Sequence, residues 1–79
     1  MDTVDLMIRY ECGELVFSEQ VQLFAELIKS GQVWNLQGSY GRMARHYIDA
    51  DLISTKGVIN NQLLRMYIDD ETLKKKQNG

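Results

Sequence analysis

The chain of 79 residues has no proline, one cysteine and one histidine. A single thiol, Cys12, closes no intramolecular disulfide, and a four-ligand zinc site would need Cys12, His46 and two carboxylates, so neither a structural metal nor a cofactor is expected. Cysteine poverty fits a reducing compartment. No apolar stretch approaches the ~20 residues that cross a bilayer, and Met1-Asp2-Thr3-Val4-Asp5 carries acids where a secretory signal has basic residues. These absences predict a soluble intracellular protein with no membrane partner. Reaction chemistry is equally sparse. A Ser or Cys nucleophile needs a base held by a third group, and His46 stands beside Arg42 and Arg45, which do not orient it for that role. Gly38-Ser39 opens a helix but lacks the glycine spacing and following lysine of a phosphate-cradling loop. No catalytic residue is expected, and the chain does not read as an enzyme.

What is present is one domain. A chain this short supplies about 3–5 kcal/mol of net stability from its own core, so self-association, a homodimer for instance, would be a natural reinforcement. The formal net charge of −2 hides an asymmetry. Asp2, Asp5, Glu11, Glu14, Glu19 and Glu26 dominate the first thirty residues, whereas Arg42, Arg45, Lys56 and Arg65 outweigh Asp49 and Asp51 in the middle. A dedicated nucleic-acid binder shows a clear basic excess, because counterion release from neutralised phosphates carries most of its affinity. That excess is thin here.

Apolar periodicity predicts an all-α, compact bundle of about four short helices over residues 1–73, with a basic tail, residues 74–79, that frays. Segment 4–12 is ambiguous. Val4, Leu6, Ile8, Tyr10 and Cys12 alternate as in a strand, while Leu6, Met7 and Tyr10 form a helical stripe. Gly13 suits a helix stop and no second clear strand lies nearby, which favours the helix, with Cys12 as a small buried hydrophobe. The second helix has Ser18 as its N-cap, Glu19 in the first turn, an apolar face of Val21, Leu23, Phe24, Leu27 and Ile28, and Gly31 as its stop. Val33, Trp34 and Leu36 are expected to plug the core from a connector. A third helix runs from a Ser39 cap to Ala50, with Tyr40, Met43, Ala44, Tyr47 and Ile48 inward and Arg42, Arg45, His46 and Asp49 outward. Residues 52–59 form either a minimal hairpin or an extended linker, and Asn60 caps a last helix burying Leu63, Leu64, Tyr67 and Ile68.

That order is compatible with a helix-turn-helix module, possessing a small wing, in which helix 39–50 would read DNA. Arg42, Arg45 and His46 share a face, and Lys56 at the hairpin tip could touch a phosphate. Any amphipathic helix needs a solvated face, however, and Asp49 would repel phosphates and can pair with Arg45. The segment Trp34, Gln37, Gly38, Ser39, Tyr40, Gly41 has a distinct composition. Its glycines would permit a left-handed turn or close backbone approach, Ser39 would cap, and Trp34 with Tyr40 would fill volume. Arg42 in the first helical turn opposes the helix dipole, so a partner must offset it, either an acid from the early helices, with Gln37 and Ser39 bracing the helix start, or an anionic surface outside.

The stretches "YECGEL" and "LFAELIKSGQVWNLQGSYGRMARHYIDADLI" resemble a group of small uncharacterised proteins from tailed bacteriophages. The resemblance rests on Tyr10, Gly13, Glu14 and Leu15; on Leu23, Phe24, Leu27 and Ile28; on Trp34 and the run Leu36 to Arg42; and on Ala50 to Ile53. Asp51 departs from the glycine of the group's Ala-Gly-Leu-Ile helix end. The resemblance implies phage origin, the host cytoplasm and no catalytic assignment. Two functional classes follow. One is a helical protein-interaction module binding a host or phage protein, with Met7, Tyr47, Met66 or Tyr67 supplying contacts. The other is a helix-turn-helix DNA regulator. The acidic balance favours the first.

Overall fold

A computed structural model describes residues 2–68. Three α-helices, α1 (Thr3–Glu11), α2 (Phe17–Ser30) and α3 (Gly38–Asp49), are joined by a loop and a single 3-10 turn, Gln32–Asn35. A short excursion follows, pinned by one antiparallel bridge between Ile53 and Ile59, and residues 61–68 form α4. Among the described residues the architecture is an all-α bundle without a β-strand. The expected fraying of residues 74–79 lies outside the described residues.

Helix wins over strand in segment 4–12 because a lone strand has nowhere to send its backbone hydrogen bonds. Coiling splits the alternating set: Leu6 is buried and Tyr10 packs on the core, while Val4 and Ile8 face outward. Cys12, expected inside, is exposed at the helix C-cap for the same reason. Gly13 stops the helix in the left-handed region, φ +72°, with its N–H donating to Tyr10 O at 3.0 Å and Glu14 N–H to Arg9 O at 2.8 Å.

Both serine caps are displaced. α2 begins at Phe17, with Val16 as N-cap; valine has no acceptor, so only half a capping box forms, Val16 N–H donating to Glu19 Oε1 at 3.2 Å. Ser18 is thereby inside the helix, and the earlier start brings the Phe17 ring to 6.2 Å from Tyr47. α3 likewise begins at Gly38 after Gln37, which makes no side-chain cap, and Ser39 is its second residue.

The connector also differs from expectation at Trp34. In a 3-10 turn, residues three apart eclipse one another. Val33 is fully buried and Leu36 packs against the core, so Trp34 between them turns outward and is 53% exposed.

Phe24, in the middle of α2, is the hub of the core. Its ring centroid lies 5.4 Å from Tyr10 of α1, and 5.8 Å and 5.4 Å from Tyr40 and Tyr47 of α3. Val21, Leu23, Leu27 and Val33 complete the enclosed layer. After α3 the chain reverses at Asp51, the one non-glycine residue in the left-handed region (φ 62°) among those described. Asp51 N–H donates to Ile48 O and Leu52 N–H to Tyr47 O, both at 3.0 Å, a Schellman closure that drives Leu52 and Ile53 into the core.

Residues 52–59 are therefore a minimal hairpin rather than a free linker. Ser54 Oγ accepts from the N–H groups of Lys56 and Val58 at 3.2 and 3.1 Å, which holds the turn. Gly57, φ +82°, lies so close to α2 that a Cβ there would stand 2.6 Å from Ala25 O and 2.7 Å from Lys29 Cβ. Asn60 caps α4, accepting from Leu63 N–H at 3.2 Å while its Nδ2 donates to Asp51 O at 3.3 Å.

Two consequences are measurable. Phe24→Ala removes the hub of the core, at a cost of about 3–5 kcal/mol, equal to the whole net stability of so small a domain; its far-UV circular dichroism should show an unfolded chain at room temperature. Asp51→Gly relieves the left-handed strain and should raise stability by about 1 kcal/mol in urea unfolding, with the slope unchanged.

Candidate functional site

Residues that the fold leaves exposed include Trp34 on the connector and the outward face of α3. Ser39, Arg42, Arg45, His46 and Asp49 are all exposed there, and Ser39, Arg42, Met43 and His46 line a shallow open groove. Arg45 Nε stands 3.6 Å from Asp49 Oδ1, so one guanidinium is answered within its own helix. Arg42 makes no ion pair among the described residues, and the first turn of α3 holds no acid. The internal brace expected of Gln37, Ser39 and Arg42 is not formed.

Gly38 and Gly41 have neither structural purpose expected of them. Both have ordinary negative φ, and a Cβ at either would meet nothing within 4 Å. The fold would accept alanine at both. They leave a strip of α3 without side chains beside Arg42, and Gly38 is only four residues beyond Trp34 in the chain.

Lys56 does not join this face. Its neighbour Gly57 docks the hairpin tip on α2 at Ala25 and Lys29, so Lys56 belongs to that side of the molecule. Of the apolar contact candidates, Tyr47 is buried at the core, Met7 packs against it, and Met66 and Tyr67 are exposed on α4. Tyr67 still leans on the Phe17 ring, 5.7 Å away. The exposed Val4 and Ile8 on α1 were not singled out in the sequence; they are the residues that the helical stripe of Leu6, Met7 and Tyr10 leaves outside.

Beneath the face lie two phenols with altered proton affinity. Burial pushes Tyr47 up to about 12, helped by the neighbouring Tyr10 phenol. Its hydroxyl donates to Gln20 Oε1 at 3.5 Å, and Gln20 Nε2 donates to Leu15 O at 3.3 Å, a thread tying α3 to the start of α2. Burial, then the Glu11 carboxylate, also raises Tyr40, whose enclosed hydroxyl has no hydrogen-bond partner among the described residues. Neither phenol is placed to do acid–base work near neutral pH, and both report on packing.

Among the described residues no three His, Cys, Asp or Glu side chains gather as a metal site, and no helix is long and apolar enough to cross a membrane. What fold and surface define is a small all-α protein with an outward-facing tryptophan and a cationic helix face above an aromatic core. The chain belongs to the family described as a domain of unknown function, DUF7417, whose model matches residues 1–69. No curated protein and no solved structure matches it.

The phenols give a pH dependence of fixed sign. Because the folded chain holds the Tyr47 and Tyr40 protons more tightly than the ordinary value of 10.0, it carries extra protons between pH 10 and about 12. Stability is therefore intact below about pH 10 and falls as pH climbs towards 12. Tyr47→Phe should flatten that decline between urea titrations at about pH 9 and about pH 11.

Proposed function

We propose that the chain is a non-catalytic protein-interaction module of bacteriophage origin that binds a host or phage protein in the cytoplasm of the infected cell. Trp34 and the outward face of α3 form its contact. The observation that carries this reading is the sole tryptophan, 53% exposed on a turn whose neighbour Val33 is fully buried. A large aromatic held on a rigid base loses little entropy on docking, and tryptophan is the residue type most enriched among interface hot spots. Gly38 and Gly41, which the fold does not need, let a partner backbone come close to α3.

A DNA-reading helix-turn-helix is the second reading, and Arg42, Arg45 and His46 on one exposed face favour it. Three features weigh against it. α2, the helix that would cross the phosphate backbone, exposes Glu26 and half-exposes Glu19. The hairpin is packed on α2, which removes Lys56 from the groove-facing side. Asp49 already occupies Arg45.

The test is affinity capture from infected cells with tagged wild type and with Trp34→Ala. That variant should keep the helical spectrum and melting temperature yet lose about 2 kcal/mol of binding, roughly thirtyfold in affinity. Gly41→Ala should stabilise the free protein by about 0.5–1 kcal/mol and still weaken capture. If Trp34→Ala captures as well as wild type, while Arg42→Ala with Arg45→Ala weakens duplex binding that is steeply salt dependent, the DNA reading replaces this one.

A further inference from the structure

Two surfaces of this chain face solvent and are opposite in character. α1 turns outward a stripe in which Val4 is 60% and Ile8 54% exposed, with Asp5, Glu11 and Cys12 exposed around them. α3 turns outward Arg42, Arg45 and His46, four to eight residues beyond Gly38 and close in sequence to the exposed Trp34. The first surface is apolar with acids and with the half-exposed Arg9 at its edge; the second carries Arg42, Arg45 and His46, with Asp49 paired to Arg45. Neither is used by the fold: Leu6, Met7 and Tyr10 dock α1, and Tyr40, Ala44 and Tyr47 dock α3.

We infer that the chain binds a second copy of itself, the outward stripe of α1 on one copy lying against the Trp34 and Arg42 face of the other. Deepening the reading of that face as a protein contact, the inference names its occupant. Charge complementarity selects this pairing over the alternatives. Two α1 stripes crossing antiparallel about Ile8 would set Asp5 against Glu11 of the other copy, where like charges cost several kcal/mol; two α3 faces could set Arg42 against Asp49 of the other copy but would leave Val4 and Ile8 uncovered. Only α1 against α3 covers Val4 and Ile8 while giving Arg42 the carboxylate it lacks among the described residues. Contact made reciprocally closes a dimer, and contact made once per copy gives a head-to-tail row.

The experiment is light scattering and sedimentation of the full chain, in reductant so that Cys12 cannot cross-link copies. Wild type should associate at about 0.05 M salt and weaken at about 0.5 M. Asp5→Lys with Glu11→Lys, and separately Arg42→Glu with Arg45→Glu, should each leave a folded monomer by circular dichroism, with association weakened at least tenfold. An equimolar mixture of the two should associate again, with a blue shift of Trp34 emission. Val4→Ser with Ile8→Ser, both far from the core, should also lower association and serves if a charge-reversed chain fails to fold. A wild type that stays monomeric at low salt, or a mixture of folded variants that stays monomeric, overturns the inference. Monomeric wild type with capture of another protein that depends on Trp34 removes self-association and leaves the proposed function; self-association with capture indifferent to Trp34 does the reverse.

Discussion

The contact on which the rest of this structure depends is the set of tyrosine rings around Phe24. Tyr10 from α1 and Tyr40 and Tyr47 from α3 all reach the same ring, so a single side chain of α2 determines where two other helices sit. Edge-to-face and tilted pairs of this kind add about 0.5–1.5 kcal/mol each beyond the area they bury, a large share in a domain whose net stability is a few kcal/mol. Tyrosines also bring hydroxyls into the core. Tyr47 answers its own through Gln20, whereas the enclosed Tyr40 hydroxyl feels the Glu11 carboxylate but makes no hydrogen bond of good geometry among the described residues.

Around that cluster the chain is folded back on itself by backbone devices rather than by covalent staples. The left-handed turn at Asp51 sends Leu52 and Ile53 under α3, Ser54 holds the hairpin, and Gly57 lets the tip touch the backbone of α2. Asn60 then joins both halves of the excursion by capping α4 and donating to Asp51 O. A chain with a single cysteine thus obtains a closed core by making a loop part of it. The same arrangement has a functional effect, since a hairpin packed on α2 cannot act as a wing reaching away from α3.

The candidate surface has the opposite character: its composition is not explained by the fold. Gly38 and Gly41 could be alanines, Trp34 leaves half of its surface exposed, and Arg42 opposes the dipole of its own helix without an ion pair among the described residues. Residues that cost stability where they stand and contribute nothing to packing are the ordinary mark of a binding surface. Their signs complement the acidic, apolar stripe of α1, whose Asp5, Val4 and Ile8 are exposed.

Much of this was legible in the letters because it depends on near neighbours. The stops at Gly13 and Gly31, the Asn60 cap, the inward faces of α2 and α3 and the Arg45–Asp49 pair are all set within a turn or two of chain, where sequence spacing is distance. The cationic face of α3 was readable on the same ground. By contrast, Ser18 and Ser39 look like caps in isolation, yet the helices start earlier, at Phe17 and Gly38. Trp34 turns outward because Val33 and Leu36 take the inward positions of a tight turn, and Lys56 leaves the α3 face because Gly57 meets Ala25, thirty-two residues away. Helical identity and which side of each helix is oily were thus matters of composition and period. Which surfaces remained bare, and what lay beside them, was decided by contacts between segments remote in the chain, whose separation no local pattern records.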